Sequence, residues 1–327
     1  MSIERASGEV ADQWLAATRA GLEAEVGAAA GPLLERVLPA MPAGYDELNW
    51  PNSAVVDLPI IDRLAGVPAG APPADVVATA LTHFTEAPAH QWRFRVYHAG
   101  SALALADLLP LLDQLGFRAI DERAFHFALG EQGVWLHDVG VEVPEGVEFE
   151  ADARAEVQRA FLAEFTDAVE VDGFNRLVLL AGLTARQVEV LRAYSRYLRQ
   201  IGFPFSQQYI EATLARHAGI AAQLVHLFQV RFHPGLADDR VAAIRDVREP
   251  LMAALEAVPS LDDDRTLRSL LALIEATVRT NAYRPGADGL DHRDVIAFKF
   301  DTSKVPDLPL PRPMFEIWVC SPRVEGV

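Results

Sequence analysis

Lys299 and Lys304 are the only lysines in the 327-residue sequence, and 27 of its 29 basic residues are arginine. Arginine stays protonated and cannot act as a tunable base or Schiff-base former, so side-chain amine chemistry is absent from everything before Lys299. Arg192, Arg196 and Arg199 stand at i, i+4 and i+7 and could grip a carboxylate or phosphate from one helix, although the same spacing suits a salt-bridged face. The nine histidines are scattered. His217 and His226 are nine residues apart, and no group of His, Cys and carboxylates has metal-ligand spacing, so no metal site is expected. Asp262, Asp263 and Asp264 are consecutive, and neighbouring helix positions diverge rather than converge on one ion, which makes them a solvated helix start. Cys320, the single cysteine, alternates with Trp318 and Met314 and reads as an inert strand thiol in a reducing compartment.

No G-x-G-x-x-G follows a strand, no G-x-x-x-x-G-K occurs, and neither G-x-S-x-G nor H-E-x-x-H is present, so no catalytic and no cofactor-binding residue is assigned. One turn retains chemistry of its own. In His98-Ala99-Gly100-Ser101 the glycine would let backbone N–H groups approach a carboxylate closely, and His98, Gly100 and Ser101 are the candidate effector-binding residues.

Composition narrows the partners. The formal net charge is −17, the wrong sign for a phosphate backbone or an anionic lipid surface, so neither nucleic acid nor membrane is expected. The N-terminus has no basic stretch followed by an apolar one, and no apolar run approaches a membrane span. The chain reads as soluble and cytoplasmic. Its length accommodates two or three domains.

The elements that would position these residues follow from periodicity. Residues 12–40 carry a loose helical stripe stopped by Pro39, Pro42 and Gly44, and a short apolar segment covers 55–64. The Pro- and Gly-rich stretch 67–75 reads as a linker. Trp92, Phe94 and Val96 alternate with Arg93, Arg95 and Tyr97 as in a strand. Leu105, Leu108, Leu109, Leu112 and Leu115 then recur at helical spacing up to Gly116, across Pro110, which is expected to kink the helix or confine it to one side. Residues 117–129 and 134–143 read as two further strands. The unit is β-α-β-β; residues 151–165 could add a second helix, and no convincing final strand follows.

Beyond Asp172 the chain turns helical. Thr184 to Gln187 match a capping box, Ser206 can cap the next helix, and further helices are expected over 220–232, 238–258 and 262–283, the last burying Leu267, Leu270, Leu271, Ile274 and Val278. Strands over 294–300 and 314–320 flank the proline-punctuated loop 306–313. The sequence stops soon afterwards, as if a β-rich region were cut off.

Two stretches are specific. Residues 172–232 (DGFNRLVLLAGLTARQVEVLRAYSRYLRQ and onward) and 261–327 (LDDDRTLRSLLALIEATVRTNAYR, then FKFDTSKVPDLPLPRPMFEIWVCSPRVEGV) closely resemble the very large bacterial NAD-dependent glutamate dehydrogenases. WRFRVYHAG, ADLLPLLDQLGFRAIDER and VWLHDVGVEVP resemble the ACT-like module that precedes that region. The resemblance covers about residues 80–327 well and the first 80 weakly.

It implies an α+β chain: a helical N-terminal segment (1–70), a ferredoxin-like ACT-type β-α-β-β regulatory module (80–150), a helical domain (151–285), and the opening strands of a truncated α/β catalytic domain (290–327). It also implies oxidative deamination of L-glutamate with NAD, and a homo-oligomer, for the full-length enzyme. No cofactor is expected on this chain, because the family's glycine-rich segment and catalytic lysines follow a motif like PRPMFEIWVCSPRVEGV. The chain alone is therefore expected to be inactive. The alternative is a stand-alone ACT-type module that senses a small amino-acid effector or serves oligomerisation.

Overall fold

The computed structural model describes residues 2–84, 87–144, 147, 149, 151–236, 238–284, 295–322 and 324–327, the side chains of residues 2–9 excepted. The chain divides into two compact units, one of residues 1–113 and 117–166, the other of residues 114–116 and 167–327. Both units mix helices with a small antiparallel sheet. Among the described residues no helix is long and apolar enough to cross a membrane.

The first unit opens with four helices, α1 (Ser2–Val26), α2 (Ala30–Val37), α3 (Tyr45–Leu48) and α4 (Pro51–Ala65). Gly27 adopts φ +59°, a left-handed conformation that glycine takes without a Cβ penalty, and it separates α1 from α2 within the expected 12–40 helix. Next come β1 (Val77–Thr82), β2 (Gln91–Ala99), α5 (Leu105–Gln114), β3 (Arg118–Phe127), β4 (Val134–Glu142) and α6 (Ala151–Phe165). Pro110 lies inside α5 without ending it. The sheet order is β1-β2-β4-β3, with every neighbour antiparallel. Its fourth strand is thus not after α6 but before β2: β1 pairs with β2 from Val77 opposite His98 to Thr82 opposite Arg93.

Alternation along the strands sends two sets of side chains to opposite faces. Tyr97, Ala99, Phe125, Phe127, Val134 and Leu136 form one core with Trp14, Leu22, Leu34, Leu58, Ile61 and Leu64 of the N-terminal helices. The stretch 67–75 therefore joins helices and sheet that share a hydrophobic core. On the other face Phe94 packs between Phe117 and Phe161, at ring distances of 5.5 and 4.9 Å, while α5 buries Leu108 and Leu112. Helices cover both faces of this sheet.

The second unit contains α7 (Arg176–Ala181), α8 (Ala185–Gln200), α9 (Gln207–Arg216), α10 (Ala218–Phe232), α11 (Arg240–Glu256), α12 (Leu261–Ala276) and the sheet β5 (Thr277–Thr280), β6 (Ile296–Asp301), β7 (Phe315–Cys320) and β8 (Glu325–Gly326), in that order and antiparallel. The capping box forms: Gln187 N–H donates to Thr184 Oγ1 and Thr184 N–H to Gln187 Oε1. Ser206 caps α9 by accepting from Tyr209 N–H. The expected helix over 262–283 instead ends at Ala276, and Thr277 to Thr280 become β5 against β6, leaving Val278 48% exposed. β-branched Thr277 and Val278 suit a pleated edge, and the tertiary pairing overrides the helical period. Asp294, expected to open β6, lies outside the described residues.

Inward-facing Phe298, Phe300 and Trp318 build the core of this unit against α8. Tyr194 stacks on Phe298 at 4.2 Å and Tyr197 on Phe300 at 4.4 Å, and Trp318 Nε1 donates to Ala193 O at 3.0 Å. On the outer side Phe315, Ile317 and Val319 are exposed, and the Lys299 ammonium sits 4.0 Å from the Phe315 ring centroid.

Candidate functional site

The turn that ends β2 is shaped by its glycine and by two histidines. Gly100 has φ +100° and its N–H donates to Gly133 O at 3.0 Å. His98 Nδ1 donates to Ser101 O at 2.8 Å, since a carbonyl can only accept. His137 on β4 is buried and accepts at Nε2 from Leu103 N–H at 3.1 Å, which makes Nδ1 the donor to Glu122 Oε1 at 2.9 Å. The structure thus places His98, Gly100 and Ser101 together, with Ser101 exposed. The Gly100 amide is directed to Gly133, and Leu103 N–H to His137. Both donors are spent inside the protein.

A denser polar centre lies under the N-terminal helices. Asp57 of α4 is fully buried and accepts from the Tyr45 hydroxyl, the Tyr97 hydroxyl (2.5 Å) and Arg95 Nη1. Arg95, also fully buried, donates from Nη2 to Asn49 Oδ1 at 2.8 Å and lies 3.4 Å from Asp138. Asn49 O in turn accepts from Trp14 Nε1 at 2.7 Å. Burial pushes the Asp57 carboxyl up, against the pull of Arg95 and both phenols. Burial works against the Arg95 charge as well, but Asp57 and Asp138 outweigh it and hold the guanidinium above its ordinary value. Arg95 stays charged, with two carboxylates to balance it.

Beside it Arg93 binds Asp138 through Nε (2.8 Å) and Asp121 through Nη1 (2.5 Å). Gly140 is the clearance for that pair, since a Cβ there would come within 2.7 Å of Arg93 Nη1 and 2.8 Å of Asp121 Oδ1. No substrate reaches groups buried this completely. The Asp57 and Arg95 centre ties α3, α4 and the 49–50 turn to β2.

In the second unit the three spaced arginines bind acceptors of their own chain, Arg192 from a buried and Arg199 from an exposed position. Arg192 donates from Nε and Nη2 to the two carboxylate oxygens of Asp172 at 2.8 and 2.9 Å, and again to Asn175 Oδ1. Arg196 donates to Glu170 at 2.6 Å, and Arg199 to Gln207 at 3.3 Å. The adjoining crevice, lined by Glu170, Arg186, Glu189, Arg192, Ile296 and Cys320 among others, has about 20 Å³, room for one water. Burial raises the Cys320 thiol, with Arg196 opposing, so the residue is a poor nucleophile.

The three aspartates diverge, but Asp263 is not solvated. Its side chain, 6% exposed, accepts from Tyr209 Oη (2.8 Å), Thr213 Oγ1 (3.1 Å), Arg216 Nη2 (2.8 Å) and His217 Nε2 (3.1 Å). Asp264 pairs instead with Arg268. The Arg216 hydrogen bond, helped by Tyr209, His217 and Thr213, holds the Asp263 carboxyl well below the usual carboxylate range against the effect of burial. A carboxyl depressed in the folded state contributes stability that is complete above its unfolded value, about 3.9, and is lost as pH falls toward its folded value. Asp263→Asn is expected to cost about 1–2 kcal/mol at pH 7 and to flatten the acid limb. Thermal melts of both proteins from pH 7 to pH 2.5 check this; parallel curves below pH 4 would refute it.

Among the described residues no group of three or more His, Cys, Asp or Glu could hold a metal ion. Sequence reasoning missed Asp57 and Arg95. The available signal was an aspartate on the same stripe as Ala54, Leu58, Ile61 and Leu64.

Residues 77–154 match the family model "Glutamate dehydrogenase, ACT3 domain", residues 169–234 "Glutamate dehydrogenase, helical motif 3", and residues 250–327 "Bacterial NAD-glutamate dehydrogenase, catalytic domain". The NAD-specific glutamate dehydrogenase of Halomonas elongata is 38% identical over 296 residues, covering 90% of this chain and 18% of its own. That of Pseudomonas aeruginosa is 39% identical over 293 residues, and that of Mycobacterium tuberculosis 36% over 299, each covering 88% of this chain and 18% of the relative. The chain spans less than a fifth of the length of these relatives.

Proposed function

We propose, from the premise that this chain belongs to the bacterial NAD-specific glutamate dehydrogenases, that it supplies a regulatory module, a helical module and part of the catalytic domain to an enzyme converting L-glutamate, NAD and water to 2-oxoglutarate, ammonium and NADH. The observation that carries this reading is the order of the three matched domains along one chain, 77–154, 169–234 and 250–327. The first unit supports an ACT-type assignment in its topology. A sheet ordered β1-β2-β4-β3, with helices after β2 and β4, is the ferredoxin-like β-α-β-β-α-β sheet with its last strand moved to the front. In the second unit, helical motif and catalytic segment share a core through Tyr194, Tyr197, Phe298, Phe300 and Trp318. The helices act there as the support of the catalytic strands.

The residues present do not fit NAD. Among the described residues both sheets are antiparallel throughout and form no parallel βαβ unit, and the sequence has no glycine-rich strand-to-helix turn at which a pyrophosphate could sit. Hydride transfer and the catalytic lysines of the family belong to other parts of the longer enzyme. The purified chain is accordingly expected to give no glutamate-dependent NADH absorbance, whereas an enzyme of the relatives' length does; NADH formation by the chain alone would sink this assignment.

Effector binding at His98, Gly100 and Ser101, homo-oligomerisation of the longer enzyme and a cytoplasmic location complete the reading. Because helices cover both faces of the first sheet, assembly through this unit would have to use its strand edges or its helical exterior. Sedimentation of the chain with and without a panel of amino acids tests both ideas.

A further inference from the structure

Among the described residues the sheet of the second unit is covered by α8 on one face and bare on the other. The bare face presents Phe315 (44% exposed), Ile317 (55%) and Val319 (36%) in alternation along β7, opposite Asp301, Lys299 and Ala297 of β6. We infer that it is the docking surface for an acidic amphipathic segment of the longer enzyme's own polypeptide, whose apolar stripe lies on Phe315, Ile317 and Val319 and whose carboxylates meet Arg279 and Lys299.

The apolar row comes first. A strand with one wet face alternates apolar and polar residues, whereas β7 reads Phe-Glu-Ile-Trp-Val-Cys and is apolar on both sides apart from Glu316, which faces Tyr197. Trp318 and Cys320 use the covered face, so Phe315, Ile317 and Val319 are surplus to the core of this chain. Met314, 80% exposed, extends the same patch at the start of the strand. Contiguous apolar surface of this kind marks an interface.

Charge defines what the interface takes. Arg279 of β5 stands directly opposite Lys299 of β6, and residues so paired share a face. Two like charges in that position repel. Among the described residues neither has an ion-pair partner, although the chain carries 46 acids; Lys299 rests on the Phe315 ring instead. Asp301, on the same side of β6, is already engaged by Ser303 Oγ at 2.6 Å and by Lys304. An occupant that brings apolar side chains and carboxylates together relieves both defects.

The occupant follows from the relatives. The chain spans 18% of each of them, and these strands fall within the stretch 250–327 that matches a catalytic-domain model, so most of the longer polypeptide remains to cover the face. A second copy docked on the same face by a two-fold axis would bring an identical cation pair and no free carboxylate. The choice of occupant rests on the proposed membership of a longer enzyme; the bare apolar row and the unpaired cations do not.

The test compares the chain with the enzyme of the relatives' length that carries it. Hydroxyl-radical oxidation of Phe315 and Ile317, read by peptide mass spectrometry, is expected to be at least tenfold slower in the longer enzyme. Ile317→Glu is expected to leave the thermal midpoint of the chain unchanged and to lower that of the longer enzyme. Arg279→Glu, which gives Lys299 a partner, should raise the midpoint of the chain and lower that of the longer enzyme. Equal oxidation in the two proteins, or a longer enzyme indifferent to both substitutions, overturns the inference. So does a chain that sediments as a dimer and is returned to monomer by Ile317→Glu, because a second copy is then the occupant. Glutamate-dependent NADH formation by the longer enzyme, measured alongside, shows separately whether the enzymatic reading holds.

Discussion

Asp57→Ala is expected to destabilise the first unit by about 3–5 kcal/mol, the range for removing one partner of a buried ion pair. The loss strands Arg95 and two phenol hydroxyls in a region of zero exposure. Asp138 at 3.4 Å is too committed to Arg93 to take over. Asp57→Asn keeps the volume and one acceptor and should cost less. Trp14, Trp50, Trp92 and Trp135 lie in the first unit and Trp318 in the second, so denaturant titration followed by tryptophan fluorescence reports mainly on the unit that carries the mutation. A shift below 1 kcal/mol for Asp57→Ala would show that the centre is replaceable by water.

Trp318→Ala should cost about as much in the second unit, 3–5 kcal/mol by analogy with other large-to-small aromatic core changes. The indole is fully buried, lies 5.6 Å from the Tyr197 ring and donates to Ala193 O. Its removal opens a cavity between β7 and α8 and frees a helix carbonyl. Far-ultraviolet circular dichroism in urea should show the helices of the second unit melting earlier together with its sheet. If only the sheet signal moved and the helices kept their midpoint, the two matched segments would be separate folding units and the shared core proposed for them would be wrong.

What the sequence made legible was local. The capping box at Thr184 and Gln187, the Ser206 cap, β2 to β4 and the helix over 151–165 all declare themselves within a few residues. β1 did not, because Val-Ala-Thr-Ala-Leu-Thr alternates small and medium side chains and is defined by pairing with β2 across the 83–90 connection. β5 was hidden for the opposite reason: Val278 falls four residues after Ile274 and prolongs the leucine stripe of α12, while its true partner strand is some twenty residues on. Arg93 and Arg95 alternate with Trp92, Phe94 and Val96, which suggests a polar outward face. That face is in fact covered by the N-terminal helices, and only Asp57, an acid on an apolar helical stripe, could have hinted at it. The candidate turn at His98, Gly100 and Ser101 was legible as a turn but not as one whose amides are already engaged.

Lys299 above the Phe315 ring and Lys304 beside Asp301 have a practical corollary. Every side-chain primary amine of the chain lies within six residues of one unit, Lys299 on β6 and Lys304 in the turn that follows it. Acylating dyes, amine cross-linkers and surface immobilisation through amines therefore address the second unit on its side chains and leave those of the first untouched. A covalent probe attached this way reads out the second unit without mutagenesis, while attachment to a side-chain amine of the first unit requires an engineered handle.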